Sequence, residues 1–173
     1  MIPEQTTAFR VYKEGGPLLG IATVESPEVS FITETISGSG IAGEYESPAI
    51  GMPSSMSMTF NFTSRSKDFY LLQDISENNS VELRANIQVA DETTGLKKFV
   101  PCRLVITYMT KTASGGSFET GKKQGNSVEV EVLRHLEELD GKEVLLIDKL
   151  AMIYRINGKD MLAGVRKNLG MDF

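Results

Sequence analysis

The chain has 173 residues, of which 40% are hydrophobic and 24% are charged. These values fit a single domain over residues 1–173, and they exclude a collagen, a fully disordered chain and a disulfide-stabilised miniprotein. The net charge is −5. Because clustered Lys and Arg are needed to neutralise a phosphate backbone, we expect no stable binding of nucleic acid.

Particular residue types exclude further classes of protein and site. The chain has one Cys and one His, which leave no internal disulfide and no ordinary zinc site, and we expect no metal and no cofactor. No apolar run approaches the roughly 20 residues that span a bilayer. The first residues, Met1 to Thr7, contain neither a basic nor an apolar segment, so we expect no signal peptide and synthesis in a cytosol.

Alternation of residue types and turn residues predict the strands. Apolar and polar residues alternate with a period of two in several segments, which is typical of strands with one buried face. Gly15-Gly16 and Asp140-Gly141 separate successive segments and predict hairpins, and Asn157-Gly158 predicts a tight turn after the last segment. In chain order, the predicted strands are 8–13, 18–24, 56–62, 81–89, 99–110, 128–139, 142–148 and 150–156.

Helices and long loops account for the rest of the chain. Ser64 or Ser66 is a candidate N-cap, and Phe69, Leu72 and Ile75 or Ser76 recur at helical spacing, which predicts a helix near 66–76. A second, short helix is predicted over 159–168. The predicted long loops are 37–55 and 113–126, each with four Gly. The fold class is therefore mainly β, a sandwich or barrel with one central α-helix and long loops.

Two glycine-rich segments match parts of nucleotide-binding motifs. Gly38–Gly43 fits G-x-G-x-x-G, but acidic residues and a Pro follow where a helix should begin. Gly116–Lys122 fits most of a phosphate loop, but Lys123 takes the place of the Ser or Thr that holds the metal ion. We interpret both segments as mobile loops rather than nucleotide sites.

The sequence offers few residues for catalysis. His135 is the one candidate histidine base, and we expect it on the surface. Cys102 lies on the apolar side of its strand, so we expect a buried, inert thiol. Glu137 and Glu138 point to opposite faces of a strand, which is poor geometry for shared acid–base chemistry. Since no nucleophile motif is present either, we predict that the chain is not an enzyme.

The C-terminal third carries the most specific pattern. It contains, in order, Gly121-Lys122-Lys123-Gln124-Gly125, Asp140-Gly141-Lys142-Glu143, Ile147-Asp148, Ala151-Met152-Ile153, Ile156-Asn157-Gly158 and Arg166-Lys167-Asn168-Leu169-Gly170. This order and spacing resemble the major tail tube protein of contractile-tailed bacteriophages, the FII-type family. Weaker matches cover 9–27, where Glu14-Gly15-Gly16 replaces the expected Asn-Gly turn, and 38–51.

The resemblance implies a structural subunit of the inner tube of a contractile phage tail or a phage-tail-like bacteriocin. Such subunits form homohexameric rings, which stack into a hollow tube whose wall is an inter-subunit β-barrel. The partners implied are a contractile sheath, a baseplate and tail terminator proteins. The tube penetrates the bacterial envelope, and DNA passes through it without sticking, or ions do. Synthesis in the bacterial cytoplasm, followed by assembly into the particle, is implied as well.

Within this family fold we predict three sets of contact residues. The lumen-lining candidates are Ser57, Thr59, Asn61, Glu82, Arg84, Asn86, Gln88, Glu129 and Glu131. The candidate inter-subunit loop residues are Gly38, Gly40, Gly43, Glu44, Glu46, Gly116, Gly121 and Lys122. The sheath-facing candidates are Arg155, Lys159, Arg166 and Lys167.

An ordinary solvated surface is the alternative for each of these three sets. For the whole chain, the alternative to a tube subunit is a monomeric β-barrel binding module for a small ligand or a partner protein. The pattern does not separate a phage from a bacteriocin, because both tubes share the fold.

Overall fold

The computed structural model describes residues 1–76 and 79–171. Strands contain 57% of these residues and helices 7%, which confirms the prediction of a mainly β chain. The strands are β1 (Ile2–Lys13), β2 (Leu18–Leu19), β3 (Thr23–Glu25), β4 (Phe31–Ser37), β5 (Glu44–Pro53), β6 (Ser57–Phe62), β7 (Asn79–Ala90), β8 (Lys97–Ser114), β9 (Asn126–Leu139), β10 (Lys142–Asp148), β11 (Ile153–Ile156) and β12 (Lys159–Asp160). The helices are α1 (Lys67–Leu71) and α2 (Ala163–Asn168). Neither helix within these ranges has the length and apolar character needed to cross a membrane.

One large antiparallel sheet contains ten of the strands in the described ranges. Its main path runs β12-β11-β10-β9-β8-β7-β1-β2. β9 is long enough to pair with two strands on the side away from β8: residues 126–131 pair with β6, and residues 134–139 pair with β10. β6 in turn pairs with β3. The sheet therefore branches at β9 and wraps around a single cluster of buried side chains.

The buried cluster follows the predicted alternation. Met58 and Phe60 of β6 pair with Val130 and Val128 of β9, and all four side chains are almost fully buried. The ring centroids of Phe60 and Tyr108 on β8 lie 6.1 Å apart, in a tilted aromatic contact. On β8, Cys102, Leu104, Ile106 and Tyr108 share the buried face, as the sequence predicted.

The helix α1 closes one end of this cluster. The Phe69 N–H donates a hydrogen bond of 3.3 Å to Oγ of Ser66, which confirms Ser66 as the N-cap. The Phe69 ring packs edge-on against Phe62, with centroids 5.7 Å apart. The helix ends at Leu71, well short of the predicted 66–76, because the next residue, Leu72, already serves as its C-cap.

The two predicted long loops differ from the structure. The segment 37–55 is not a loop over most of its length, since β5 pairs with β4 in a separate two-stranded hairpin. Within it, only the tip, residues 38–43, and residues 54–55 lie outside strands. The second predicted loop, 113–126, is confirmed over 115–125, between β8 and β9.

The predicted turns are confirmed where the backbone requires a positive φ. Asp140 and Gly141 have φ of 51° and 71°, and Asn157 and Gly158 have φ of 48° and 80°. Two successive positive φ values are the signature of the tight turn that matches the twist of a hairpin. The β9–β10 hairpin therefore forms where the sequence places it. The Asn157-Gly158 turn forms as well, but it leads into β12, so the predicted helix over 159–168 is confined to Ala163–Asn168.

Candidate interaction surfaces

All nine predicted lumen-lining residues lie on one face of the large sheet. Residues paired directly across antiparallel strands share a face. Thr59 on β6 pairs with Glu129 on β9, and Arg84 on β7 pairs with Arg103 on β8. Arg103 in turn pairs with Glu138 on β9, which links the two groups through one continuous surface. We call this surface the polar face; its position in a lumen stays a prediction.

A one-residue bulge in β9 decides which side chains reach the polar face. Thr107 pairs with Arg134 and Tyr108 with Val132, so Leu133 has no partner on β8. Before the bulge the even-numbered residues of β9 are buried, and after it the odd-numbered ones face the core side. Glu138 therefore joins the polar face, whereas His135 turns inward and is 4% exposed. The prediction of a surface His135 is wrong for this reason.

Ion pairs cross the polar face from strand to strand. Oε1 of Glu82 accepts hydrogen bonds of 2.7 Å from Nε of both Arg84 and Arg103. Nη1 of Arg103 also lies 3.0 Å from Oε2 of Glu138. The hydrogen bond from Arg84, with that from Arg103, holds the pKa of the Glu82 carboxyl below its usual range. Glu82 is 7% exposed, so it is a structural ion-pair residue as well as a lumen candidate.

A second set of ion pairs lies toward the β6 end of the polar face. Nζ of Lys111 lies 3.0 Å from Oγ of Ser57 and 3.1 Å from Oε1 of Glu129. Nζ of Lys149 lies 2.8 Å from Oε1 of Glu131. The acidic lumen candidates on β9 are thus paired with cations of the same chain. The face is mostly polar, with charges of both signs, although the exposed side chains of Phe99 and Met109 lie on it too.

The hairpin of β4 and β5 is exposed and acidic. We call residues 31–53 the acidic hairpin, because it contains Glu34, Glu44 and Glu46 and no Lys or Arg. These glutamates are exposed, as are Ile32 and Tyr45. The loop candidates Gly38, Gly40, Gly43, Glu44 and Glu46 all lie at its tip or just beyond it.

Only the base of the acidic hairpin is packed against the large sheet. The ring centroids of Phe31 and Tyr154 on β11 lie 5.5 Å apart. Gly51 has φ of 68°, and a Cβ there would lie 2.8 Å from Cγ of Leu162. Since L-residues rarely adopt this φ and a Cβ would displace the Leu162 side chain, glycine is favoured where the hairpin meets Leu162.

Two loops meet at the end of the sheet where β9 begins, and they form a basic surface. Oε1 of Gln124 accepts a hydrogen bond of 2.8 Å from the Arg65 N–H, and the Gln124 N–H donates one of 3.0 Å to the carbonyl of Thr63. The Arg65 guanidinium stacks 4.9 Å from the centre of the Phe118 ring. We call residues 63–67 and 115–125 the basic rim. It includes the loop candidates Gly116, Gly121 and Lys122.

The four predicted sheath-facing residues fall into two kinds. Nη1 of Arg155 lies 3.2 Å from Oε1 of Glu143. Nη2 of Arg166 lies 2.6 Å from Oδ2 of Asp160, and its Nη1 donates a hydrogen bond of 2.8 Å to the carbonyl of Met152. Lys159 and Lys167 are exposed. Two of the four cations are therefore already paired with carboxylates of the same chain, which leaves the lysines for an outside partner.

An open groove of about 420 Å³ lies on the apolar side of the sheet. Phe9, Leu83, Ile87 and Leu104 line it together with other apolar residues. His135 and Glu137 lie in its wall, with 3.8 Å between Nε2 and Oε2. Within the described ranges neither ring nitrogen of His135 has a hydrogen-bond partner. A groove of this size and lining suits an apolar segment of another chain or a small apolar ligand.

Burial dominates the protonation of the groove residues. It lowers the pKa of His135 to about 4 and raises the pKa of the Glu137 carboxyl and of the Cys102 thiol. Cys102 is 7% exposed, which confirms the predicted buried thiol. Within residues 1–76 and 79–171, no group of three or more His, Cys, Asp or Glu side chains is arranged to hold a metal ion.

Solved structures of contractile injection systems share this fold. The chain aligns with a component of the extended-state sheath/tube terminator of the extracellular contractile injection system PVC, with a TM-score of 0.56 and 11% identity, over 80% of this chain and 98% of that chain. It aligns with a component of the PVC sheath–tube complex in the extended state with a TM-score of 0.53 and 11% identity, over 80% and 91%. A third match is the tube terminating cap of the anti-feeding prophage, with a TM-score of 0.50 and 10% identity, over 80% and 91%.

Sequence comparison identifies the family. A search of curated protein sequences found no significant match. The family described as phage tail tube protein FII, in contrast, matches residues 3–170, which is nearly the whole chain. The match extends over the sheet, the acidic hairpin and both loops of the basic rim. The chain therefore belongs to the phage tail tube protein FII family, and its role is that of a structural tail tube protein.

Proposed function

We propose that six copies of this chain form a ring, and that rings stack into the inner tube of a contractile tail or of a related particle. The polar face carries this proposal. It is a broad, mostly polar sheet surface opposite a packed apolar core, which is the arrangement that the wall of a water-filled barrel needs. The groove on the other side of the sheet exposes apolar surface that a neighbouring subunit would cover.

Sheath and terminator proteins are the proposed partners. The structures that share this fold come from a sheath/tube terminator, a sheath–tube complex and a tube cap of other systems. Lys159 and Lys167 offer exposed cations to an acidic sheath surface. A baseplate at the other end of the tube, and assembly into a virion or particle tail, complete the proposed context. A catalytic role is not part of this proposal.

The charge of the ring fits transport without adhesion. Six copies at −5 each give a formal charge of about −30 per ring, which opposes binding of a polyanion. The polar face itself carries paired charges rather than a basic stripe. DNA, in a phage, would therefore slide through the lumen, and ions would pass if the particle is a bacteriocin.

Negative-stain electron microscopy of the purified protein at high concentration tests this proposal. Six-fold rings or hollow tubes are the expected result. Because some tubes need a nucleus, the protein is also imaged after co-expression with the neighbouring tail genes. Dispersed monomers in both preparations, over a range of salt and protein concentrations, would contradict the proposal.

A second candidate function is a monomeric β-barrel binding module, and the open groove is the observation that favours it. In that case the groove takes a small apolar ligand or a partner protein instead of a second copy. Sedimentation velocity separates the two candidates: a species that stays monomeric at the concentrations used for microscopy supports the module. Concentration-dependent growth of the sedimentation coefficient supports the tube subunit.

A further inference from the structure

The acidic hairpin carries a charge that its own chain does not neutralise. Glu34, Glu44 and Glu46 give residues 31–53 a net charge of −3. Within residues 1–76 and 79–171, none of the three glutamates forms an ion pair or a side-chain hydrogen bond. The surrounding sequence offers no relief, because no Lys or Arg occurs between Lys13 and Arg65.

The acidic hairpin is also short of packing partners. An isolated two-stranded hairpin is at best marginally stable in water, and it gains stability from further strands or from a packed surface. Here β4 and β5 form their own sheet. Ile32 is 55%, Tyr45 53% and Ile50 73% exposed. The hairpin therefore presents both apolar side chains and unpaired charge to whatever covers it.

The basic rim is complementary to the acidic hairpin, because it carries the opposite charge and also exposes an apolar side chain. Arg65, Lys67, Lys122 and Lys123 against Glu119 give residues 63–67 and 115–125 a net charge of +3. Lys122 pairs with Glu119 at 2.5 Å, while Lys67 and Lys123 have no carboxylate partner within the part of the chain that the structure describes. Phe118 is 72% exposed beside these cations. Hydrogen bonds between the two loops hold these side chains together in one surface.

The two surfaces lie at different places in one subunit. The base of the acidic hairpin packs on Tyr154, which is aligned across β10 with His135 of β9. The basic rim borders Asn126, nine residues earlier in β9, which is about 30 Å along the strand. No ion pair or hydrogen bond joins the two surfaces in the described ranges.

We propose that the acidic hairpin of one subunit docks on the basic rim of a second copy of this chain. This inference rests on the proposed tube function and names the surfaces through which copies meet. The contact joins different patches on the two copies, so it is heterologous and propagates into a ring or an open stack. The C-terminal cations are the weaker alternative, because Arg155 and Arg166 are already paired within their own chain and Lys159 and Lys167 are assigned to the sheath.

Charge reversal with rescue tests this contact. In Glu44→Lys/Glu46→Lys, like charges face each other, and we expect the protein concentration needed for assembly to rise by roughly tenfold or more. Lys122→Glu/Lys123→Glu is expected to cause the same loss. Mixing the two variants, or combining all four substitutions in one chain, restores opposite charges and should restore assembly. The readouts are the sedimentable fraction and the number of rings or tubes seen by electron microscopy.

A matched control separates the contact from the effect of net charge. Glu14→Lys/Glu28→Lys changes the charge by the same amount at two exposed glutamates outside the acidic hairpin, and it should assemble like the wild type. The proposal is overturned if the wild type assembles and the hairpin variant assembles equally well. It is overturned as well if the hairpin variant fails but the opposite reversal does not rescue it. Failure of the wild type to assemble at all would instead count against the tube function.

Discussion

At the scale of single residues, His135 is a titratable side chain in apolar surroundings. It is buried without a hydrogen-bond partner in the described ranges, and its pKa is lowered to about 4. In an unfolded chain the pKa of His is about 6.5. Between these two values the unfolded state binds more protons than the folded state. Stability therefore rises with pH through this window and is lost as the pH falls from 6.5 toward 4.

Replacing His135 by an apolar residue should remove this dependence. In His135→Leu we expect the free energy of unfolding to exceed that of the wild type increasingly as the pH falls, by at most about 3 kcal/mol near pH 4. Urea unfolding at pH 4, 5, 6 and 7.5 measures the difference. Burial raises the pKa of Glu137, so that group acts in the opposite direction; it is present in both proteins. A constant difference across this pH range would contradict the assigned burial.

Glu82 is the second residue whose environment makes a sharp prediction. It is 7% exposed and accepts hydrogen bonds from two guanidiniums. Glu82→Gln leaves Arg84 and Arg103 facing each other without the negative charge, and we expect a loss of about 2 kcal/mol of unfolding free energy. Chemical denaturation at pH 7 measures it.

Glu129→Gln is the matched control for Glu82→Gln. It removes a carboxylate from the same polar face, but the Lys111–Glu129 pair is 40% and 39% exposed. An exposed pair contributes little, so the expected loss is below about 0.5 kcal/mol. Equal losses in the two variants would mean that the burial of Glu82 does not strengthen its pairing.

At the scale of elements, the loop of the basic rim depends on one glycine. Gly116 has φ of 66°, and a Cβ there would overlap the carbonyl oxygen of Gln124. Gly121, in the same loop, has φ of 76° and open space around a Cβ. Gly121→Ala should cost about 1 kcal/mol through backbone strain alone. Gly116→Ala should cost about 3 kcal/mol, because the loop must also shift.

Thermal unfolding together with amide hydrogen exchange tests this pair of variants. The Ser117 N–H donates to the carbonyl of Gln124, so Gly116→Ala should speed exchange at Ser117, and Gly121→Ala should leave it nearly unchanged. If both variants show the same stability and the same exchange, the close approach of the two segments is not a constraint on the loop.

Alternation of apolar and polar residues predicts the paired core strands. It does not predict a bulge within a strand or which strands pair, because neither changes the local residue pattern. β6 and β7 are predicted because apolar and polar residues alternate along their whole length, and β8 and β9 because they alternate over part of it. His135 was placed on the surface because strict alternation does not anticipate the bulge at Leu133. The Gly and Pro of residues 37–53 predict a loop, whereas these residues form most of the acidic hairpin by pairing with the β-branched run in 32–36, which favours a strand. Residues 2–7 of β1 form a strand through pairing with β7 alone.

At the scale of the whole molecule, shared side-chain orientation was predictable, whereas contacts between surfaces were not. Period-two patterns placed nine residues on polar strand faces, and the register joins those faces into one. The ion pairs that link Glu82 to Arg103 and Arg103 to Glu138 span three strands. Such pairs depend on strand order, which a single sequence does not encode locally. The same holds for the groove, which several separate segments line.

The location of the polar face in an assembled tube leads to the last prediction. Thr59→Cys places a thiol on this face, whereas Lys159→Cys places one on the exposed C-terminal surface. Burial and the raised pKa of Cys102 keep the native thiol unreactive as background. In assembled tubes, a small maleimide should label both variants, since it diffuses through an open lumen. A maleimide coupled to a large protein should label Lys159→Cys and spare Thr59→Cys.

In dissociated subunits both reagents should label both sites, because no wall shields either one. Rapid labelling of Thr59→Cys by the large reagent in intact tubes would place the polar face outside and reverse the orientation of the subunit.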